Sequence, residues 1–289
     1  MELKMGIILG IMAMIAWGLA DFLSTQSGRA LGVIRGSFWF HVGSLLFLLP
    51  ITPWFGGGNQ FKGEDLLPLA SVSILFIGSY LLFLRALDKG LLSVVSPIFG
   101  SHVVIPMIAG VVLFGERLNR MEIMAISTML VGIMLVSLDW REIQKAARSA
   151  LVNGLPEAIG AMILAGLILT LLTSLSREYG WFRPLLWMRI GGFLLIGLIS
   201  IKGLRMNLRR EALKFAIPAG FFDILAFSLF SIGVKLAPVT IVAPISGGSP
   251  IVSIFLGYIF LRERLAPNQW VGVIAIITGL ALLGIISGY

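Results

Sequence analysis

A chain of 289 residues that is 58% hydrophobic and 12% charged cannot cover itself as a soluble globule, where charged residues run at about 25%. A mean hydropathy of +1.00 excludes disorder as well. The net charge of +8 sits in short stretches between apolar runs, without the interleaved aromatic and basic residues of a nucleic-acid site, so it reflects membrane topology. The absence of Cys removes disulfides, thiol catalysis and thiolate metal sites. The predicted class is an all-α integral membrane protein of the cell membrane.

A helix needs about 20 mostly apolar residues to cross about 30 Å of hydrocarbon. In chain order the predicted spans are 5–25, 37–53, 66–87, 91–114, 121–138, 152–175, 184–201, 212–235, 238–261 and 268–287. The first follows Lys4 in the manner of a signal peptide, but no soluble chain follows it, so it reads as a membrane helix. Apolar runs of this length exclude a β-barrel, whose strands are about 10 residues of alternating polarity. The longest connections, 54–65, 139–151 and 202–211, are too short for a soluble catalytic domain.

The chain repeats. Shifted by 147 residues, Ser93–Leu118 overlays Thr240–Leu265, with Val95/Val242, Pro97/Pro244, Ile98/Ile245, Gly100/Gly247, Gly110/Gly257, Glu116/Glu263, Arg117/Arg264 and Leu118/Leu265 identical. Each half holds five spans. An odd number forces the second half to enter the membrane from the opposite side, which predicts a 5+5 inverted repeat divided as 1–147 and 148–289.

Ser96–Pro97 through Gly115–Glu116–Arg117–Leu118 with Gly132, repeated as Ala243–Pro244 through Arg262–Glu263–Arg264–Leu265 with Gly279, resembles the drug/metabolite transporter superfamily, EamA type. Trp17–Gly18 also matches that family's opening helix, whereas Ala165–Gly166 stands at the corresponding place in the second half. The resemblance implies a ten-helix basket around a central cavity, exporting or exchanging amino acids or related metabolites. Fourteen Lys and Arg flank one side of the spans and seven the other, which places both termini outside, whereas the resemblance implies cytoplasmic termini.

Polar residues within the spans need a physical reason, because burying them in hydrocarbon is expensive. Pro97, Pro106, Pro244 and Pro250 each lack an amide donor and free a carbonyl four residues earlier. Ser96, Ser101, Ser246 and Ser249 lie among them, and such broken segments offer backbone and hydroxyl groups to both ends of a zwitterion. His102, whose repeat partner is Ser249, could line the cavity or carry a proton. Trp17 could stack on a substrate, and Tyr80 offers a hydroxyl.

Asp223, opposite Phe76 in the repeat, has Arg189 as its candidate partner, either as a register-fixing ion pair or in substrate or proton coupling. Asp21 shares a face with Trp17 and could meet Arg35 or His41, or be a solvated helix end. Glu116 and Glu263 read as loop anchors paired locally with Arg117, Arg120, Arg262 or Arg264. Gly6 and Gly10 form a small-residue pair compatible with a monomer or a homodimer.

No P-loop, HExxH or Gly-x-Ser-x-Gly motif occurs, so no cofactor, metal or catalytic residue is predicted. The sequence therefore predicts a secondary transporter of small molecules. A channel or a lipid-modifying membrane enzyme is the less favoured class. Import or exchange of amines, nucleotides or sugar-linked metabolites is the alternative within transport.

Overall fold

The computed structural model describes residues 2–55, 63, 66–90, 92–138, 140–145, 153–200, 210–262 and 264–286. Its helices are α1 (Glu2–Leu31), α2 (Val33–Phe55), α3 (Leu66–Lys89), α4 (Leu92–Gly100), α5 (Val104–Val112), α6 (Arg120–Ser137), the short α7 (Trp140–Lys145), α8 (Leu155–Tyr179), α9 (Phe182–Ser200), α10 (Arg210–Leu236), α11 (Val239–Ser246), α12 (Pro250–Leu261) and α13 (Pro267–Ile286). No strand occurs among the described residues. Taking α4–α5 and α11–α12 as one broken span each, ten segments are long and apolar enough to cross a membrane, as the sequence predicts.

The breaks fall where proline removes donors. A 3-10 turn at Ser101–Val103 separates α4 from α5, just before Pro106. Gly247–Ser249 separate α11 from α12, just before Pro250. Short-range bonds stitch the second break, from the Gly248 N–H to the Ile245 carbonyl (3.1 Å) and from the Ser249 N–H to the Ser246 carbonyl (3.3 Å). At the start of α6, Asn119 accepts from the Glu122 N–H (2.9 Å) while Glu122 accepts from the Asn119 N–H (2.7 Å), a reciprocal cap. At its far end the Asn268 side chain donates to the carbonyls of Leu135 and Leu138.

The principal helix pairings recur when the halves are exchanged. α1 lies against α10 as α8 lies against α3; α2 meets α10 as α9 meets α3; α1 meets α11 as α8 meets α4. α6 and α13 pack on each other, as do α2 and α9. Single residues obey the same rule. A Cβ added to Gly18 would stand 2.8 Å from the Ser249 carbonyl, and one added to Gly166 would stand 2.7 Å from the His102 carbonyl. Gly166 is thus the counterpart of Gly18, and only a hydrogen side chain lets either helix approach the break in the opposite half. Between α6 and α13, a Cβ on Gly132 would be 2.8 Å from the Gly272 carbonyl, and one on Gly279 would be 2.7 Å from the Ala125 carbonyl. Ten helices in two inversely oriented sets of five therefore form the fold. The expected boundary at 147/148 lies outside the described residues.

The largest apolar cluster joins both halves, with Leu48 and Val72 from the first and Leu172, Leu185, Ile224 and Phe230 from the second. Gly6 and Gly10 pack inside the fold, against Ala237 and Ile245 respectively. Trp54, Trp140 and Trp270, near span ends, are exposed, which suits the membrane–water boundary.

Candidate functional site between the halves

Arg189 and Asp223 form an ion pair between α9 and α10. The Arg189 side chain is completely buried, and its guanidinium carbon lies 4.9, 5.2 and 5.4 Å from the ring centroids of Phe76, Phe227 and Phe40. Three ring faces substitute for part of its lost hydration. Its Nε and Nη1 donors have no hydrogen-bond partner among the described residues. Trp17 of α1 packs on Phe227, one of these rings, so the cluster spans both halves. Trp17 packs edge-on to Phe227 at 5.0 Å and tilted against Phe230 at 5.8 Å.

Asp21 lies one turn beyond Trp17 and accepts from the Ser249 hydroxyl at 3.4 Å. Its side chain is exposed. The helix-end expectation for Asp21 is corrected here, because α1 continues to Leu31. His41 belongs instead beside Arg189 and Phe76, with a ring centroid 5.8 Å from that of Phe76. Its Nδ1 contacts the Ser37 carbonyl at 2.8 Å. A carbonyl only accepts, so Nδ1 carries a proton. Ser37 is also hydrogen-bonded to the Tyr80 hydroxyl, so Tyr80, Ser37 and His41 form a polar path toward Arg189.

The remaining predicted residues distribute around the two breaks. His102 bonds through Nδ1 to the Phe99 carbonyl at 2.9 Å and lies against the Phe99 ring. The Ser101 hydroxyl donates to the Pro97 carbonyl at 2.8 Å, and Ser96 is half-buried on α4. Ser246 is fully buried with its hydroxyl given to the Ala243 carbonyl at 3.0 Å, which withdraws it from the accessible group around Asp21. Ser249 is half-buried and bonded to Asp21. The structure thus gathers Trp17, Asp21, Arg189, Asp223 and Ser249. It adds the rings of Phe40, Phe76 and Phe227, which carry no motif and are assembled only by packing, and it places His41 beside Arg189 and not beside Asp21.

Glu116 departs from the expectation of local pairing with Arg117 or Arg120. Its carboxylate meets Arg177 at the end of α8 (2.8 Å). It also accepts from the N–H groups of Val239 and Thr240 (3.0 and 2.9 Å) and from the Thr240 hydroxyl (2.9 Å). It therefore caps a helix of the other half. Burial pushes its pKa up, but Arg177 and the Thr240 and Val239 donors outweigh burial and hold it below the usual glutamate value. Gly110 leaves room for this: a Cβ there would stand 2.6 Å from Thr240 Cγ2 and 2.8 Å from Glu116 Oε2. Glu263, its repeat partner, lies outside the described residues. Glu157 is ion-paired with Lys89 near the ends of their helices.

The sequence profile of the EamA-like transporter family matches residues 4–138 and again 153–285. The chain is 22% identical over 286 residues to the uncharacterized transporter YojE of Bacillus subtilis (strain 168), covering 93% of this chain and 89% of that protein. A crystal structure of a protein 14% identical has the same fold, with a TM-score of 0.76 over 97% of this chain and 98% of the other. Two matches of one family profile, each spanning five membrane helices, identify this multi-pass membrane protein as a member of the EamA-like transporter family, within the drug/metabolite transporter superfamily.

Proposed function

We propose that the protein is a secondary carrier that exports amino acids or related small metabolites, bound between the halves at Asp21, Ser249, Trp17 and the Arg189–Asp223 pair. The observation that carries this reading is Asp21: a carboxylate ten residues from its helix end, exposed on α1, and bonded to the helix break of the opposite half. An ionisable group at such depth needs water or a ligand beside it. Asp21 offers an acceptor to an ammonium group. The unbonded Nε and Nη1 of Arg189 offer donors to a carboxylate. Rocking of one half on the other around this group would supply alternating access.

The exposure pattern favours a second reading. The accessible charges are the two carboxylates, while the one cation is fully buried, so the group suits a simple amine as well. Counterflow in proteoliposomes tests both. Saturable uptake driven by internal unlabelled amino acid, and reduced at least about tenfold by Asp21→Asn, supports the carrier. Non-saturable flux overturns it. Uptake of decarboxylated analogues in preference to amino acids selects the amine.

A further inference from the structure

Glu116, Arg177 and the first residues of α11 lie at one membrane face, the face on which the chain begins. Following the spans from Glu2, the α5–α6 connection, the end of α8 and the start of α11 all return to that face. There Glu116, from the first half, holds the start of a second-half helix by three hydrogen bonds. Arg177 clamps the same place: it pairs with Glu116, donates from Nε to the Val234 carbonyl of α10 (3.0 Å), and covers the Phe114 ring at 4.9 Å. Every residue of α11, Val239–Ser246, is buried beneath this network.

The symmetry mate of α11 behaves differently. On α4, which begins at the opposite face, only Val95 and Pro97 are buried among the residues described from 94 to 100, whereas Val94, Ser96, Ile98, Phe99 and Gly100 are partly exposed. Two helices equivalent in sequence therefore differ in burial according to the face they start from. Asp21, which lies toward that opposite face on α1, is exposed as well. At the N-terminal face α11 is thus sealed beneath Glu116 and Arg177, whereas its symmetry mate carries partly exposed residues.

We infer that Glu116 and Arg177 form the closed gate at the N-terminal face, and that release of α11 from Glu116 is the step that admits solvent to the site from that side. This rests on the alternating-access reading above. A carboxylate that accepts three bonds from one helix end gives the contact two discrete states, capped or uncapped, and a gate needs that property. Uncapping costs less once the carboxylate is neutral or absent, so removing its charge shifts the population toward the state open at that face.

The natural absence of Cys makes a labelling test direct. Ala243 is completely buried on α11 and accepts Cys with little change in volume. A membrane-impermeant maleimide is applied to Ala243→Cys protein from each face in turn, using vesicles of opposite orientation. Glu116→Gln and Arg177→Gln should each raise labelling from the N-terminal face about tenfold and leave labelling from the other face unchanged. Thr240→Val, which removes one of the bonds to Glu116 with little change in shape, should give a smaller rise of the same sidedness and guards against loss of folding in the charge variants. Unchanged labelling in all three variants, or equal rises from both faces, overturns the gate. Sided labelling in a chain that shows no counterflow leaves the gate standing and sinks the carrier reading; counterflow without sided labelling does the reverse.

Discussion

Asp223 and Phe76 occupy equivalent places 147 residues apart, and both lie against the same guanidinium: Asp223 as the ion-pair partner of Arg189, Phe76 as a ring face 4.9 Å from it. The scaffold is symmetric, but the charged pair is not, since the residue 147 before Arg189 is Val42. The Arg189–Asp223 pair has thus been placed in one half of an otherwise duplicated frame.

That pair dominates the expected stability profile. Asp223→Ala leaves Arg189 charged, buried and unpaired, and should cost about 3–5 kcal/mol. Replacing both residues with apolar ones of similar size should restore most of it. Thermal unfolding of the single and double variants in detergent decides the matter.

Trp17→Phe keeps a ring against Phe227 and Phe230 but a smaller one, leaving a gap between α1 and α10. Lost packing of this size should cost about 1–2 kcal/mol, read as a lowered unfolding temperature. An unchanged temperature would show that Trp17 does not support the cluster.

Gly132→Leu should be disruptive in a different way. Even the first side-chain carbon would stand 2.8 Å from the Gly272 carbonyl, so α6 and α13 must separate. Overpacking of this kind costs about 1–3 kcal/mol, seen as a lowered unfolding temperature, whereas Leu at Gly197, where nothing stands within 4 Å, should be tolerated.

The Glu116 cap should titrate. Its pKa is depressed in the folded chain, so its contribution is complete above the ordinary glutamate value of 4.5 and is lost as pH falls through the lower folded value. The stability difference between wild type and Glu116→Gln should therefore be constant near neutrality and shrink in acid. A difference that grows as pH falls would contradict the bonding seen for Glu116.

Composition and apolar run length by themselves determined the membrane class, the ten spans and, through the repeated Pro, Gly and Glu-Arg-Leu positions, the inverted duplication. These are local properties: hydrocarbon thickness dictates span length, a missing amide dictates a break, and an odd number of crossings dictates inversion. The Arg189–Asp223 pair was also legible, since two opposite charges at overlapping depth in neighbouring helices have few other places to go. Only the tertiary structure decided which partners the other polar groups take. Nothing in the sequence around Glu116 names Arg177 or the start of α11 in place of the adjacent arginines, because those contacts arise from how α8, α10 and α11 converge at one face. The ring faces of Phe40, Phe76 and Phe227 are likewise ordinary apolar residues in the chain and become a lining for a cation only when three helices bring them together.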